Sequence, residues 1–204
     1  MKQEADWWFW ISSLAFVALS AAAGLRLIYP LDARILRAAQ SEPSEILDAA
    51  GVVFSVPGGA EYAAAAILAL AFSLYFTGRQ PLAGRLLLAF VLTGVVEFAM
   101  KTWLPTAPVP EDAARSTDPS FIPELPYSFP YPSGHMLRSV ILLGAVYLLW
   151  PNTLLRAAVL AILAGVAATR IYLGVHWASD VIGGILLGVA GLAWAFEERS
   201  AISR

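Results

Sequence analysis

The sequence predicts an all-α membrane protein: a bundle of six transmembrane helices, with a short interfacial helical segment after the first span and a proline-rich extramembrane loop. Of the 204 residues, 59% are hydrophobic and only 14% are charged, whereas soluble domains contain about 45–50% apolar and about 25% charged residues. The apolar residues also fall into six runs close to the roughly 20 residues that a spanning helix needs. We therefore expect one integral-membrane domain over residues 1–204.

Six apolar runs are long enough to cross a bilayer as helices, and an even number of spans places both chain ends on one side. The first run begins with Trp7, Trp8 and Trp10, which are typical of a membrane–water interface, and it is too long for the apolar core of a signal peptide. The runs cover residues 7–29, 59–76, 82–102, 133–150, 153–173 and 177–196.

Two connections between these runs are too long for simple turns. Residues 31–57 mix charged and apolar side chains in the pattern of one or two short interfacial helices. Residues 103–132 contain eight prolines, which exclude a long helix, and loops of this length are usually functional or disordered. We expect an ordered cap or a mobile lid, whose aromatic residues either line an entrance or pack the loop onto the membrane: Trp103, Phe121, Tyr127, Phe129 and Tyr131.

Charge and composition exclude several classes of protein. The net charge of −2 gives no indication of nucleic-acid binding. The sequence has no cysteine, which excludes disulfides, thiol catalysis and Cys-ligated zinc, and it shows no carboxylate cluster of the kind that holds Mg²⁺. The sequence thus gives no indication of a bound metal or cofactor, and the partner that the hydropathy indicates is the lipid bilayer.

Ionisable residues gather at the ends of the predicted spans, where charges are costly and usually functional. Each alone has a simpler explanation, since a Lys or Arg can anchor a helix end, a histidine can make a structural hydrogen bond, and Asp180 can cap a helix. With six spans, however, all of them fall at the same membrane face. Together they predict one polar site composed of Lys101, His135, Arg138, Arg170, His176 and Asp180.

The spacing within this set suggests phosphoryl chemistry. His176 and Asp180 are four residues apart, so on a helix the carboxylate faces the imidazole, fixes one ring nitrogen and directs the other toward nucleophilic attack. Ser133 and Gly134 come just before a predicted helix, whose first N–H groups form an anion site. His135 is placed there to protonate a leaving oxygen.

Two cations complete a site for a negatively charged group. Arg170 offers a planar fork that suits phosphate, and Lys101 offers a point charge. Such cations stabilise the charge that a phosphoryl transition state spreads over its oxygens. Glu97, one helical turn before Lys101, is expected to pair with it.

The segments that carry these residues resemble the signature motifs of a known family. PSGH at 132–135 and TRIYLGVHWASD at 169–180 are similar to the second and third motifs of the type 2 phosphatidic acid phosphatase family, in its integral-membrane branch. The third family motif reads S-R-x5-H-x3-D, and here Thr169 replaces the serine while the hydroxyl is kept. The resemblance covers most of the chain.

The first family motif, K-x6-R-P, is present only in part. Lys101 matches the lysine, but Pro108 and Val109 stand where the family has arginine and proline. Arg115 in the same loop is one substitute, and Arg138, one helical turn into the fourth span, is the better one. We predict that Arg138 contacts the phosphate; the alternative is an anchoring or helix-packing arginine.

The resemblance implies a metal-independent hydrolase of a lipid phosphate or diphosphate that works through a phosphohistidine. It implies that His176 is the nucleophile, oriented by Asp180, and that His135 is the proton donor, which later activates water. The phosphate pocket that it implies consists of Lys101, Ser133, Gly134 and Arg170, with the backbone of His135.

Several substrates and other functions remain open at this point. Phosphatidate, phosphatidylglycerophosphate and polyprenyl phosphates or diphosphates all present a phosphate at the membrane face. A lipid phosphotransferase would use the same histidine nucleophile, and a non-catalytic lipid-binding or transport homologue would account for the missing arginine. A soluble vanadate-dependent haloperoxidase shares such motifs, but six apolar spans argue against it. The sequence does not indicate an oligomeric state.

The distribution of Lys and Arg indicates an orientation in the membrane only when the Lys and Arg residues of the predicted site are left out of the count. Six of these residues fall on the side of the termini and seven on the other. Without Lys101, Arg138 and Arg170 the balance is six against four, which favours cytoplasmic termini. We therefore expect a multi-pass protein of the cell inner membrane, with its site on the non-cytoplasmic face.

Overall fold

The structure is a computed structural model that describes residues 2–115 and 127–197. Within these ranges the chain forms eight α-helices and two 3-10 turns, Val56–Gly58 and Glu111–Ala113, and no strand. The helices are α1 (Lys2–Gly24), α2 (Tyr29–Ala39), α3 (Glu45–Ser55), α4 (Ala60–Phe76), α5 (Gln80–Trp103), α6 (Gly134–Leu149), α7 (Thr153–Tyr172) and α8 (Ala178–Phe196).

All six predicted apolar runs are helical, and the all-α class is confirmed. The helices α1, α5, α7 and α8 are long and apolar enough to span a membrane, and α3 with α4 forms a further candidate that is bent by 44°. Helix α6 is apolar but shorter, with 16 residues. By length and composition the protein is an integral-membrane bundle of four to five spans, and the count of six stays a prediction.

The first helix is shorter than the apolar run from which it was predicted. Helix α1 ends at Gly24, because Arg26 adopts a φ of 58°, in the left-handed region that ends a right-handed helix. Tyr29, which was expected to end the first span, instead begins α2. The connection after the first span contains two short helices, α2 and α3, in agreement with its mixed pattern of charged and apolar residues.

Helix α8 is the central helix of the bundle. Of its apolar window, 61% is buried inside the protein, against 22% for α1, 28% for α5 and 22% for α7, whose remaining surface is left for lipid. A Cβ at Gly184 would stand 2.5 Å from the carbonyl oxygen of Ser133, and a Cβ at Gly188 would stand 2.7 Å from Cγ1 of Val140. The glycines let α6 and α8 approach closely, so the first turns of the two helices lie together.

The described part of the proline-rich loop is fixed as a cap against α2 and the end of α7. Gln40 donates hydrogen bonds from Nε2 to the carbonyls of Ala113 and Tyr172, both at 2.8 Å. The indole of Trp177 donates to the carbonyl of Ala107, also at 2.8 Å. Residues 116–126, which include Phe121, lie outside the described residues, and the predictions made for them stay untested.

Arg115 is held at the far edge of this loop. Its Nε and Nη2 donate to the two carboxylate oxygens of Asp48 on α3, both at 2.9 Å. Its backbone N–H donates to the carbonyl of Leu173 at 2.9 Å. The guanidinium therefore serves to fasten the loop to α3, and it does not bend back to replace the arginine missing from the first motif.

Candidate active site

The first corner of the site lies where α7 ends and α8 begins. Gly174, with a φ of 67°, turns the chain between these helices, and a Cβ there would collide with the carbonyl of Ala113. The turn brings Nδ1 of His176 to 3.4 Å from Oδ2 of Asp180, at the long end of hydrogen-bond distances. The pair predicted from the spacing therefore meets, although His176 precedes α8 and only Asp180 belongs to it.

Asp180 also organises the first turn of α8. Its Oδ2 accepts a hydrogen bond from the backbone N–H of Trp177 at 2.9 Å, so a single oxygen serves both the helix start and the imidazole. The helix-capping role that the sequence offered as the alternative for Asp180 is therefore present. Because Nδ1 of His176 faces the carboxylate, Nε2 is the ring nitrogen directed away from Asp180.

The first turn of α6 is joined directly to this corner. Ser133 caps α6 by accepting from the N–H of Met136 at 3.4 Å, and its own N–H donates to the carbonyl of Asp180 at 2.9 Å. The second bond brings the PSGH segment against the start of α8. His135 and His176, only 5% and 8% exposed, are thus buried at the same end of the bundle.

Arg170 lies in the last turn of α7 and is 1% exposed. Burying a guanidinium is unfavourable unless polar groups or a bound anion satisfy its charge. The hydroxyl of the neighbouring Thr169 donates to the carbonyls of Gly165 and Val166, at 2.8 and 3.1 Å. The threonine that replaces the family's serine therefore uses its hydroxyl within α7.

The second corner lies at the end of α5, where one carboxylate joins two cations. Oε1 of Glu97 is 3.3 Å from Nζ of Lys101, which confirms the expected pair, and Oε2 accepts from Nη1 of Arg138 at 3.2 Å. Arg138 also donates from Nε to the carbonyl of Gly58 at 2.7 Å. A Cβ at Gly134 would collide with Oε1 of Glu97, so this carboxylate lies directly against the start of α6.

These contacts define what the two cations do within the protein. The Nζ of Lys101 also stands 4.5 Å from the ring centre of Tyr127, and the lysine is 8% exposed. Arg138 links Glu97 to the turn at Gly58, as a packing arginine would. The predicted contact between Arg138 and a phosphate stays a prediction.

Asp32 on α2 reaches the site although the sequence analysis did not single it out. Its Oδ1 accepts from the N–H of Ser179 at 2.9 Å, and its Oδ2 accepts from the Ser179 hydroxyl at 2.6 Å. The pKa of Asp32 is raised, chiefly by burial; the hydrogen bonds from Ser179 oppose the shift and nearby Asp180 adds to it. The only feature of the sequence that could have indicated Asp32 was its carboxylate within a predicted interfacial helix. Its distance of 147 residues from Ser179 gave no reason to connect it with α8.

Tyr131, directly before the PSGH segment, is fully buried rather than part of an entrance. Its hydroxyl lies 2.9 Å from the Ser20 hydroxyl on α1, and its ring stacks on Phe16 with the centres 6.0 Å apart. Burial raises the pKa of Tyr131 to about 12. Tyr131 thus holds the segment before α6 against α1.

Comparisons with known proteins agree with this architecture. A family model described as the PAP2 superfamily matches residues 78–201, a range that contains all eight site residues predicted from the sequence. No curated protein matches the chain. A solved structure described as the first transmembrane PAP2 type phosphatidylglycerolphosphate phosphatase from Bacillus subtilis matches with a TM-score of 0.77 and 21% identity, covering 96% of this chain and 98% of that one. At that identity the likeness establishes the fold.

Proposed function

The chain belongs to the PAP2 superfamily, and from that membership we propose that it is an integral-membrane phosphatase that hydrolyses a lipid phosphate or diphosphate through a phosphohistidine. The observation that carries the proposal is the hydrogen bond from the Ser133 N–H to the Asp180 carbonyl. It joins the two segments that hold the histidines, each buried beside a helix start. A helix start whose backbone N–H groups attract anions, together with cations and two imidazoles, suits phosphoryl transfer.

The proposed phosphate pocket lies between the two corners. Lys101 and Arg170 supply positive charge for the equatorial oxygens, and the start of α6 supplies backbone N–H groups from Gly134 and His135, with the Ser133 hydroxyl beside them. Glu97 neutralises part of the charge of Lys101 at 3.3 Å. An incoming phosphate would therefore compete with Glu97 for this lysine.

In the first proposed step, Nε2 of His176 attacks phosphorus. Asp180 holds Nδ1, which keeps a proton on that nitrogen and stabilises the positive charge that develops on the ring. As the N–P bond forms, the bond between phosphorus and the lipid oxygen breaks. His135 donates a proton to the departing alcohol or phosphate.

In the second step, water replaces the histidine on phosphorus. His135, now neutral, accepts a proton from the attacking water, the N–P bond of the phosphohistidine breaks, and inorganic phosphate leaves with His135 protonated again. Neither step uses a metal or a cofactor.

The proposed substrate keeps its acyl or prenyl chains in the bilayer and presents its phosphate at the end of the bundle. Phosphatidate, phosphatidylglycerophosphate and polyprenyl phosphates or diphosphates all meet this condition; the B. subtilis protein of similar fold is described as a phosphatidylglycerolphosphate phosphatase. We further propose that the protein resides in the cell inner membrane with its site on the non-cytoplasmic face, consistent with the Lys and Arg distribution.

The experiment that tests the function measures phosphate release from this panel of lipids, in vesicles and with a chelator present. We expect release from at least one lipid, unaffected by the chelator. A folded protein that releases phosphate from none of them would contradict the proposal. Release that the chelator abolishes would contradict the metal-independent mechanism, and transfer of labelled phosphate to an added alcohol in preference to water would identify a phosphotransferase instead.

A further inference from the structure

A small cavity lies beside Asp180, and its lining includes Trp177 and Ala107, the pair that fastens the described loop. It has a volume of about 10 Å³ and lies between the end of α1, the start of α2, the loop after α5 and the start of α8. Its lining includes four polar or charged side chains that are each more than nine-tenths buried: Asp32 at 5% exposed, Thr106 at 3%, Ser179 at 6% and Asp180 at 1%.

Two polar atoms on these side chains have no hydrogen-bond partner within residues 2–115 and 127–197. Oδ2 of Asp180 accepts from Trp177 and faces His176, but Oδ1 of Asp180 has no hydrogen bond among the described residues. The hydroxyl of Thr106 is likewise buried without a protein partner there. Buried polar atoms are nearly always satisfied by protein or by ordered water, because leaving them unsatisfied is costly.

The size and chemistry of the cavity fit one water molecule. A single water needs roughly 10–15 Å³ and two to four polar partners. A hydroxyl can donate one hydrogen bond to the water, and the water can donate one to each of two carboxylates. Asp32 retains acceptor capacity for this, because each of its oxygens accepts only one hydrogen bond, both from Ser179.

We propose that this cavity is a binding site for one buried water, which accepts from the Thr106 hydroxyl and donates to Oδ1 of Asp180 and to Asp32. Thr106 and Asp32 are then positioning residues: through the water they fix the carboxylate that orients His176. This inference rests on the proposed function, since it assigns His176 as the nucleophile, but the water site itself does not depend on any activity.

The site connects three parts of the chain at one catalytic carboxylate. Asp32 holds α8 directly, through Ser179, and indirectly, through the water. Thr106 belongs to the loop that Trp177 fastens through Ala107. A change in the loop would therefore reach Asp180 through the water without any direct contact with His176.

The direct test is a crystal structure of the full-length protein at a resolution that shows ordered water. We expect a density peak at hydrogen-bond distance from Oδ1 of Asp180 and Oγ1 of Thr106, about 2.7–3.2 Å. In Thr106→Val, whose side chain has the same shape without the hydroxyl, the peak should be lost. A wild-type cavity without density would overturn the proposal, as would a peak at metal-coordination distances that depends on the monovalent cation present.

The functional test compares Thr106→Val with Thr106→Ser, using kcat and KM for the lipid that releases most phosphate. We expect Thr106→Val to lower kcat about tenfold with KM unchanged, and Thr106→Ser to restore kcat to near the wild-type value. Thr102→Val is the matched control, because the Thr102 hydroxyl bonds only to the carbonyl of Phe98 in its own helix, at 2.8 Å. Equal kcat for the valine and serine variants would contradict the positioning role.

The two hypotheses fail in different ways. If wild-type protein releases no phosphate but the density peak is present, the proposed function fails and the water site stands. If phosphate release is normal and the cavity contains no water, the proposed function stands and the water site fails.

Discussion

The two corners of the candidate site are built in different ways. At the corner between α7 and α8, His176 and Asp180 meet across four residues, and Asp180 holds a backbone N–H three residues away. At the corner between α5 and α6, Arg138 meets Glu97 across 41 residues and Gly58 across 80. The first corner is a property of a short motif, whereas the contacts of Arg138 at the second corner exist only because distant helices pack together.

This difference shows which contacts can be inferred from a sequence motif and which cannot. His176 and Asp180 match a family pattern and meet between the turn at Gly174 and the first turn of α8, so the local sequence is enough to bring them together. Arg138 matches no motif, and the contacts of its guanidinium were decided by which helices lie beside it. The four substitutions below test each corner, beginning with the largest expected effect.

His176→Ala should abolish the reaction at the local corner. Removal of the proposed nucleophile should lower kcat by about 10⁴-fold or more, because the remaining groups can stabilise charge but cannot form the covalent intermediate. The measurement is phosphate release together with phosphohistidine trapping by rapid acid quench in wild-type protein. Substantial activity in the alanine variant, with normal folding in detergent, would assign the nucleophile elsewhere.

Asp180→Asn should have the next largest effect. The amide retains an oxygen for the N–H of Trp177, so α8 should still begin normally, but the imidazole loses its negative partner. We expect kcat to fall by about 10³- to 10⁴-fold, with little change in KM. The matched control is Asp48→Asn, which makes the same chemical change in the pair with Arg115, outside the site. Equal losses in both variants would indicate a general effect on folding.

Arg138→Ala addresses the cation that the sequence proposed as a phosphate contact. If that prediction is right, loss of its charge should lower kcat/KM about tenfold. Arg115→Ala is the control, since it also breaks an arginine–carboxylate pair but lies away from the histidines. Unchanged turnover and KM in Arg138→Ala would leave Arg138 only the role of linking Gly58 to Glu97.

Glu97→Gln should give the smallest effect, and one of opposite sign. Its carboxylate lies 3.3 Å from Lys101 and 3.2 Å from Arg138. If both cations bind the phosphate as proposed, Glu97 would compete with the phosphate for them. The neutral amide should therefore lower KM about threefold, a change of the size expected for a partly screened ion pair. A KM that rises would show that Glu97 positions the cations for the phosphate instead of competing with it.

The sequence by itself determined the helical membrane class and the geometry of the local corner. Hydropathy over some 20 residues decides whether a segment is stable in a bilayer, so the apolar runs were predicted without knowledge of their neighbours. The pair of His176 and Asp180, and that of Glu97 and Lys101, followed from spacing along the chain. These features depend on interactions between residues that are close in sequence.

Only the tertiary structure decided the contacts that join distant segments. Asp32 accepts hydrogen bonds from Ser179, 147 residues away, and the Tyr131 hydroxyl bonds to that of Ser20, 111 residues away. Gln40 binds the carbonyl of Ala113 in the proline-rich loop, for which the sequence allowed either an ordered cap or a mobile lid. No periodicity or motif encodes such pairs, because they depend on how closely α8 approaches its neighbours. The local motif determines that His176 and Asp180 lie together, and helix packing determines which further residues hold them in place.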